Sequence, residues 1–229
     1  MTTRMLSQTM SSPTSATSSL RGIIHVVDDD RAFRTAIGRL LTAAGHEPRL
    51  YSSAAEYLAA GDSQSPACVI LDLRMPGITG LDLQHALAGR ASQHPVIFLS
   101  GHGDIPSTVR AMQGGAMDFL TKPVATPTLL AAIKRALERD MQRHREVEHL
   151  GEIRARYDSL TPRERQVMCG VVAGRLNKQI CWSLHAAERT IKTHRSRVMA
   201  KMKVRSVAEL VRLAEELSAS GVPLETWKD

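Results

Sequence analysis

Apolar residues in this chain keep two rhythms. Up to about residue 121, short apolar runs alternate with amphipathic stretches. Gly22–Val27, Glu47–Tyr51, Ala67–Leu71, Val96–Leu99 and Met117–Leu120 predict strands. Arg31–Ala44, Ser53–Ala60, Leu81–Ala88, Ile105–Gln113 and a pattern opening at Thr126 predict helices. Five strands alternating with helices imply βαβ units and a parallel sheet covered on both faces.

Beyond Thr126 the strand rhythm ends. Leu129, Leu130, Ile133, Leu137, Met141, His144, Val147, Leu150, Ile153 and Tyr157 recur at spacings near three and four, with mixed charges between them. This predicts a long linker helix with an imperfect coiled-coil seam, interrupted by His144 and Gly151. A fresh start follows at Leu160-Thr161-Pro162-Arg163-Glu164, where Thr161 and Glu164 form a capping box and Pro162 suits the first turn. Four short helices are expected from there, at about 162–173, 177–184, 188–202 and 206–218. The expected division is a tail over 1–20, an α/β domain over 21–126, a linker helix over 127–157, a small all-α domain over 158–221 and a short tail over 222–229.

Charge sharpens this division. The net charge is +7, with 9 basic and 10 acidic residues over 21–126 but 13 and 8 over 157–229. A basic back half suits a polyanionic partner. Residues 1–20 hold eleven Ser or Thr and no apolar run, which predicts a disordered tail rather than a signal peptide. No segment has the roughly 20 apolar residues of a membrane span, so a cytoplasmic protein is expected. Cys68, Cys169 and Cys181 are widely spaced and set among apolar neighbours, as reduced core thiols would be.

Candidate chemistry sits at the strand ends. Val69-Ile70-Leu71 runs into Asp72, and Pro76-Gly77 marks the loop beyond. Strand-terminal carboxylates are usually caps, but this one lies where open α/β sheets bind ligands. The first strand ends in Asp28-Asp29-Asp30, the fourth leads to Ser100 and the fifth to Thr121-Lys122-Pro123. First and third strands are neighbours in a doubly wound sheet, so Asp28, Asp29 and Asp72 can converge. Such carboxylates repel unless a cation neutralises them, and hard oxygen donors suit Mg²⁺. The set predicts phosphoryl transfer, with Asp72 as nucleophile and the metal, Lys122 and Ser100 stabilising charge. Gly101-His102-Gly103 is not a nucleotide-binding loop, so the phosphate is expected from a phosphorylated partner or small donor.

The motifs Val27-Asp28-Asp29-Asp30, Leu71-Asp72-Leu73-Arg74-Met75-Pro76-Gly77, Ser100-Gly101-His102-Gly103 and Lys122-Pro123 resemble the receiver domain of bacterial two-component response regulators. The resemblance implies a flavodoxin-like sheet in the order 2-1-3-4-5. It implies that a sensor histidine kinase phosphorylates Asp72. Asp29 and Asp72 would bind Mg²⁺ directly, Asp28 mainly through water and Arg74 through its backbone carbonyl. It also makes Ser100 and Phe119 the switch pair, and implies a cis Lys122-Pro123 bond that aims Lys122 inward. For Phe119, plain core packing is the alternative.

The expected helix at 188–202 carries Arg189, Lys192, Arg195, Arg197 and Lys201, followed by Lys203 and Arg205, with no acid between Glu188 and Glu209. Ile191, Val198 and Met202 occupy the opposite stripe. A helix apolar on one side and cationic on the other suits the DNA major groove. Together with Leu160–Glu164 and Asn177-Lys178-Gln179-Ile180, it resembles the LuxR-type helix-turn-helix of the NarL/FixJ family, nearest in appearance to FixJ-like members and regulators of aromatic catabolism of the StyR/TodT kind. Lys192, Thr193 and Ser196 are then expected to face bases, and Lys178, Arg189, Arg195 and Arg197 the DNA backbone. His185 stands where the family has a turn glycine, Ala187 where it has a Ser cap, and Trp182 where it has a small residue.

The resemblance implies a transcription factor that dimerises when phosphorylated, binds double-stranded promoter DNA and engages RNA polymerase. Two alternatives stay open on sequence: a magnesium phosphohydrolase, although Arg74 stands where such enzymes carry a second Asp, and a phosphate-independent nucleic-acid-binding regulator.

Overall fold

The computed structural model describes residues 21–61, 65–89, 94–101 and 104–224. The tail expected over 1–20, residues 225–229 and the loop residues His102 and Gly103 lie outside them. Two compact units divide between Met141 and Gln142.

The first unit is a five-stranded parallel sheet with β1 (Ile23–Val27), β2 (Glu47–Tyr51), β3 (Ala67–Leu71), β4 (Val96–Ser100) and β5 (Asp118–Thr121), in the order β2-β1-β3-β4-β5. Helices α1 (Arg31–Ala43), α2 (Ala54–Ala59), α3 (Gly80–Ala88), α4 (Ile105–Gln113) and the start of α5 (Thr126–Asp158) cover it. The strands β1, β3 and β4 are buried throughout because both faces are covered, which is why they read as unbroken apolar runs. Alternate side chains feed two cores: Val27, Leu71 and Phe98 on one face, and Ile24, Val26, Ile70 and Ile97 on the other with Leu129, Ile133 and Leu137 of α5. Register carries Val27 opposite Leu71, so Asp28 and Asp72 emerge side by side.

The second unit comprises the end of α5 with α6 (Pro162–Val172), α7 (Asn177–Ser183), α8 (Glu188–Met202) and α9 (Val207–Ala219). Its core gathers Ile153 and Tyr157 with Leu160, Val167, Ile180, Ile191, Val198, Met202, Leu210 and Leu217.

Most expected boundaries fall within a residue or two of those observed, but the long apolar stripe differs. It is not one seam. Leu129, Ile133 and Leu137 belong to the sheet's core, Ile153 and Tyr157 to the helical core, and Val147 between them is 61% exposed. Cys68 is a buried thiol as expected, whereas Cys169 and Cys181 are only half-buried. Among the described residues no helix is long and apolar enough to cross a membrane.

Candidate functional site

The carboxyl ends of β1 and β3 bring Asp28, Asp29 and Asp72 together, each offering an oxygen within 4.8 Å of the others. Asp28 is buried, Asp72 half-buried and Asp29 exposed. The Asp72 N–H donates to the Val27 carbonyl at 2.9 Å, continuing the β1–β3 ladder and locking the two acidic ends together. The Asp28 carboxylate accepts from the Asp30 N–H at 2.9 Å, and Asp72 from the Leu73 N–H at 2.8 Å. Asp30 is spent as the N-cap of α1, accepting from Ala32 and Phe33. Desolvation pushes the Asp28 carboxyl above its usual range, even though Lys122 opposes the shift.

Lys122 enters from the end of β5, next to a cis bond to Pro123. Its ammonium lies 2.5 Å from Asp28 Oδ2, 3.8 Å from Asp72 Oδ2 and 3.9 Å from the centre of the Phe33 ring. Its backbone N–H donates to the Ser100 carbonyl at 2.9 Å, which ties the ends of β4 and β5. Ser100 is 1% exposed. Phe119 is half-buried and stacks on Phe98, with ring centroids 5.9 Å apart. Arg74, two residues past Asp72, is exposed and points its guanidinium toward Asp104 at 3.9 Å.

The loop after Asp72 folds tightly. Thr79 and Asp82 form a capping box at the start of α3, and the Gly80 N–H donates to the Leu73 carbonyl at 3.1 Å. A side chain on Gly80 would overlap the Asp72 carbonyl and press on Phe98. Glycine is therefore demanded by close approach rather than by backbone angle.

In the second unit, α8 buries Ile191, Val198 and Met202 and exposes Arg189, Lys192, Thr193, Ser196 and Arg197. Lys178 is exposed on the first turn of α7. Not all of these groups are equally available. Lys192 Nζ is 3.0 Å from Glu188, and the Thr193 hydroxyl donates to the Arg189 carbonyl. Arg195 is half-buried and donates to Asn177 Oδ1 at 3.0 Å, so it ties α8 to α7. His185 in the turn has φ 48°, and Ala187 gives α8 no side-chain cap.

Two interactions were missed in the sequence. Glu164 is 2% exposed and accepts from Lys201 Nζ at 2.6 Å while closing the capping box of α6. Lys201 also donates to the Ser159 carbonyl at 2.9 Å. This lysine of the cationic run therefore braces α8 against α6. In the first unit, the fully buried Asp140 accepts from the Ala67 N–H at 2.9 Å and lies 3.1 Å from His94 Nδ1. Asp140 shares the buried stripe with Ile133 and Leu137, and a charge on an apolar stripe was the signal available.

Residues 24–134 match the family described as the response regulator receiver domain, and residues 158–214 match bacterial regulatory proteins of the luxR family. The chain is 44% identical over 198 residues to the response regulator protein TmoT of Ectopseudomonas mendocina, covering 86% of this chain and 90% of that one. It is 39% identical over 191 residues to the transcriptional regulatory protein FixJ of Rhizobium meliloti, covering 83% and 94%. Among solved structures, the response regulator StyR superposes with a TM-score of 0.78 at 40% identity, covering 85% of this chain and 98% of that one.

Proposed function

The chain belongs to the NarL/FixJ-type response regulators of two-component systems, which join a receiver domain to a LuxR-type DNA-binding domain, and from that premise we propose that a sensor histidine kinase phosphorylates Asp72 to control promoter binding. Its relatives are transcriptional regulators, so the phosphohydrolase alternative falls away. The observation that carries the reading is the convergence of Asp28, Asp29 and Asp72 with Lys122 in a chain that also presents the cationic face of α8.

An Asp72 carboxylate oxygen attacks the phosphorus of the phosphohistidine. The new O–P bond forms as the P–N bond breaks, and the electron pair leaves with the imidazole nitrogen, which takes up a proton. Three carboxylates facing one ammonium leave the pocket anionic, and their hard oxygens fit Mg²⁺. Asp29 and Asp72 would hold that ion directly, Asp28 mainly through water and Arg74 through its carbonyl. When bound, the ion neutralises the transferring phosphoryl oxygens. Lys122 shifts from Asp28 toward the new phosphoryl group, and the Ser100 hydroxyl is drawn to it. Phe119 then follows into the space that Ser100 leaves, which reshapes the adjoining α4 and β5 surface.

Ile105, Val109 and Met112 already present an exposed apolar stripe on α4 at helical spacing. That stripe supports dimerisation of the phosphorylated receiver. A dimer places two α8 helices on half-sites about 10 base pairs apart. Lys192, Thr193 and Ser196 read base edges, and Lys178, Arg189 and Arg197 grip phosphates. Arg195 contributes mainly by holding α8 in place. RNA polymerase is the downstream partner, and the cytoplasm the working compartment.

The test is phosphoryl uptake from acetyl phosphate with Mg²⁺, followed by mass spectrometry. One phosphoryl group on the wild type and none on Asp72→Asn is the expected result. Equal uptake by both proteins would remove Asp72 as the acceptor.

A further inference from the structure

A cavity of about 430 Å³ lies between α6 and α9, and its described lining includes no residue of α7 or α8. One stripe of α6 builds a wall of it. Arg165, Met168, Cys169 and Val172 stand at i, i+3, i+4 and i+7, the spacing that keeps side chains on a single helical face. Tyr157 at the end of α5 and Ala214 on α9 extend the lining. The short side chain at 214 leaves room where a larger one would close the gap. A space of this size, mostly apolar with a few placed polar groups, is in the range of small-molecule sites.

The polar groups narrow the chemistry. Arg165 and Glu215 both line the cavity, and Glu215 is exposed. The Arg165 guanidinium lies over the Tyr157 ring, 4.8 Å from its centroid. Its Nη2 donates to the Asp158 carbonyl at 3.3 Å and stands 3.7 Å from the Asp158 carboxylate. Among the described residues Nη1 makes no hydrogen bond, so the fork still has donors to offer. With Asp158 beside Arg165, this wall carries one cation and two carboxylates, so an anionic ligand is disfavoured. A guanidinium only donates and a carboxylate only accepts, whereas a hydroxyl does both.

We propose that this cavity binds a small apolar alcohol or phenol, with its hydrocarbon against Met168, Val172 and Ala214 and its hydroxyl between Arg165 and Glu215. The site has a route to DNA binding. Arg165 follows Glu164 on α6, and Glu164 holds Lys201 of α8 at 2.6 Å. An occupant that stiffens α6 therefore acts on the helix that carries the cationic face, and it does so independently of phosphorylation.

Full-length protein titrated with 2-naphthol, read by the ligand's own fluorescence, tests this. Saturable binding at one site per chain is expected, several-fold tighter than naphthalene and tighter than 2-naphthoate. Ala173→Trp fills the space from an exposed position just past α6 and should weaken naphthol binding about tenfold or more, with an unchanged circular dichroism spectrum. Glu215→Ala, at another exposed position, should remove the preference for naphthol over naphthalene. No saturable binding to the full chain would overturn the proposal, as would equal affinity of the wild type for naphthol and naphthalene, or a preference for 2-naphthoate. Unchanged naphthol binding by folded Ala173→Trp would place the ligand elsewhere and overturn it too. If Ala173→Trp does not fold, the Glu215→Ala comparison decides, and a preference that survives it sinks the assignment.

Discussion

Lys122 holds its ammonium 2.5 Å from Asp28 and 3.8 Å from Asp72, so the unphosphorylated pocket commits this cation to the buried carboxylate rather than to the acceptor. Asp28 nonetheless keeps a raised pKa, with desolvation as the first cause. The folded state therefore binds a proton at Asp28 more readily than the unfolded chain does. Above that raised pKa the charged carboxylate weakens the metal-free fold, and the penalty disappears as pH falls through it. Asp28→Asn should melt at a higher temperature than the wild type in EDTA at pH 7, with the gap closing toward pH 4. Adding Mg²⁺ should raise the wild-type Tm more than the variant's, because the variant has lost a ligand. A lower Tm for Asp28→Asn at pH 7 would contradict this account.

Gly80→Ala should damage the acceptor loop without touching a charged group. The new methyl meets the Asp72 carbonyl and Phe98. Overpacking of this kind costs about 1–3 kcal/mol. Urea unfolding should show that loss, and phosphoryl uptake from acetyl phosphate should slow even in protein that remains folded.

The Glu164–Lys201 bond predicts an acid-sensitive DNA-binding unit. Lys201 holds the Glu164 carboxyl below its usual range, so its stabilisation is present above the unfolded pKa and is lost as pH falls through the folded one. Glu164→Gln should destabilise the unit by about 2 kcal/mol at pH 7, since a charged hydrogen bond is replaced by a weaker one. The difference should shrink below about pH 4, near the ordinary Glu value. Urea titrations at the two pH values measure it.

The turn before α8 is strained and uncapped, so two substitutions should help. His185→Gly relieves a positive φ of 48° and should add up to about 1 kcal/mol, partly offset by the freer unfolded chain. Ala187→Ser supplies the missing N-cap and should add about 1 kcal/mol. A shortfall for Ala187→Ser in a chemical melt would mean that α8 starts elsewhere.

Two arginines of α8 should separate by readout. Arg197 is exposed, so Arg197→Ala should leave stability unchanged and reduce the salt slope of DNA binding by about one. Arg195 donates to Asn177, so Arg195→Ala should lower the Tm of the unbound protein. Melting curves and salt titrations of binding to a promoter fragment distinguish them.

The sheet was legible because strands covered on both faces carry unbroken apolar runs, as Val69-Ile70-Leu71 does, and because its acidic strand ends are sharp. The stripe from Leu129 to Tyr157 was less legible. A helix that packs on a partner and a helix that serves two separate cores show the same spacing of three and four. The roles of Arg195 and Lys201 were hidden for a related reason. A basic residue on a cationic helix reads the same whether it faces a phosphate or a buried carboxylate, and only the position of Asn177 or Glu164 in space decides. The His94–Asp140 contact joins residues 46 positions apart, which no local pattern records.

Asp140 fastens α5 to a main-chain N–H at Ala67 rather than to a side chain. Every amino acid except proline supplies that group. The donor of the anchor thus does not depend on the side chain at position 67, and a second proline beside Pro66 would remove it outright.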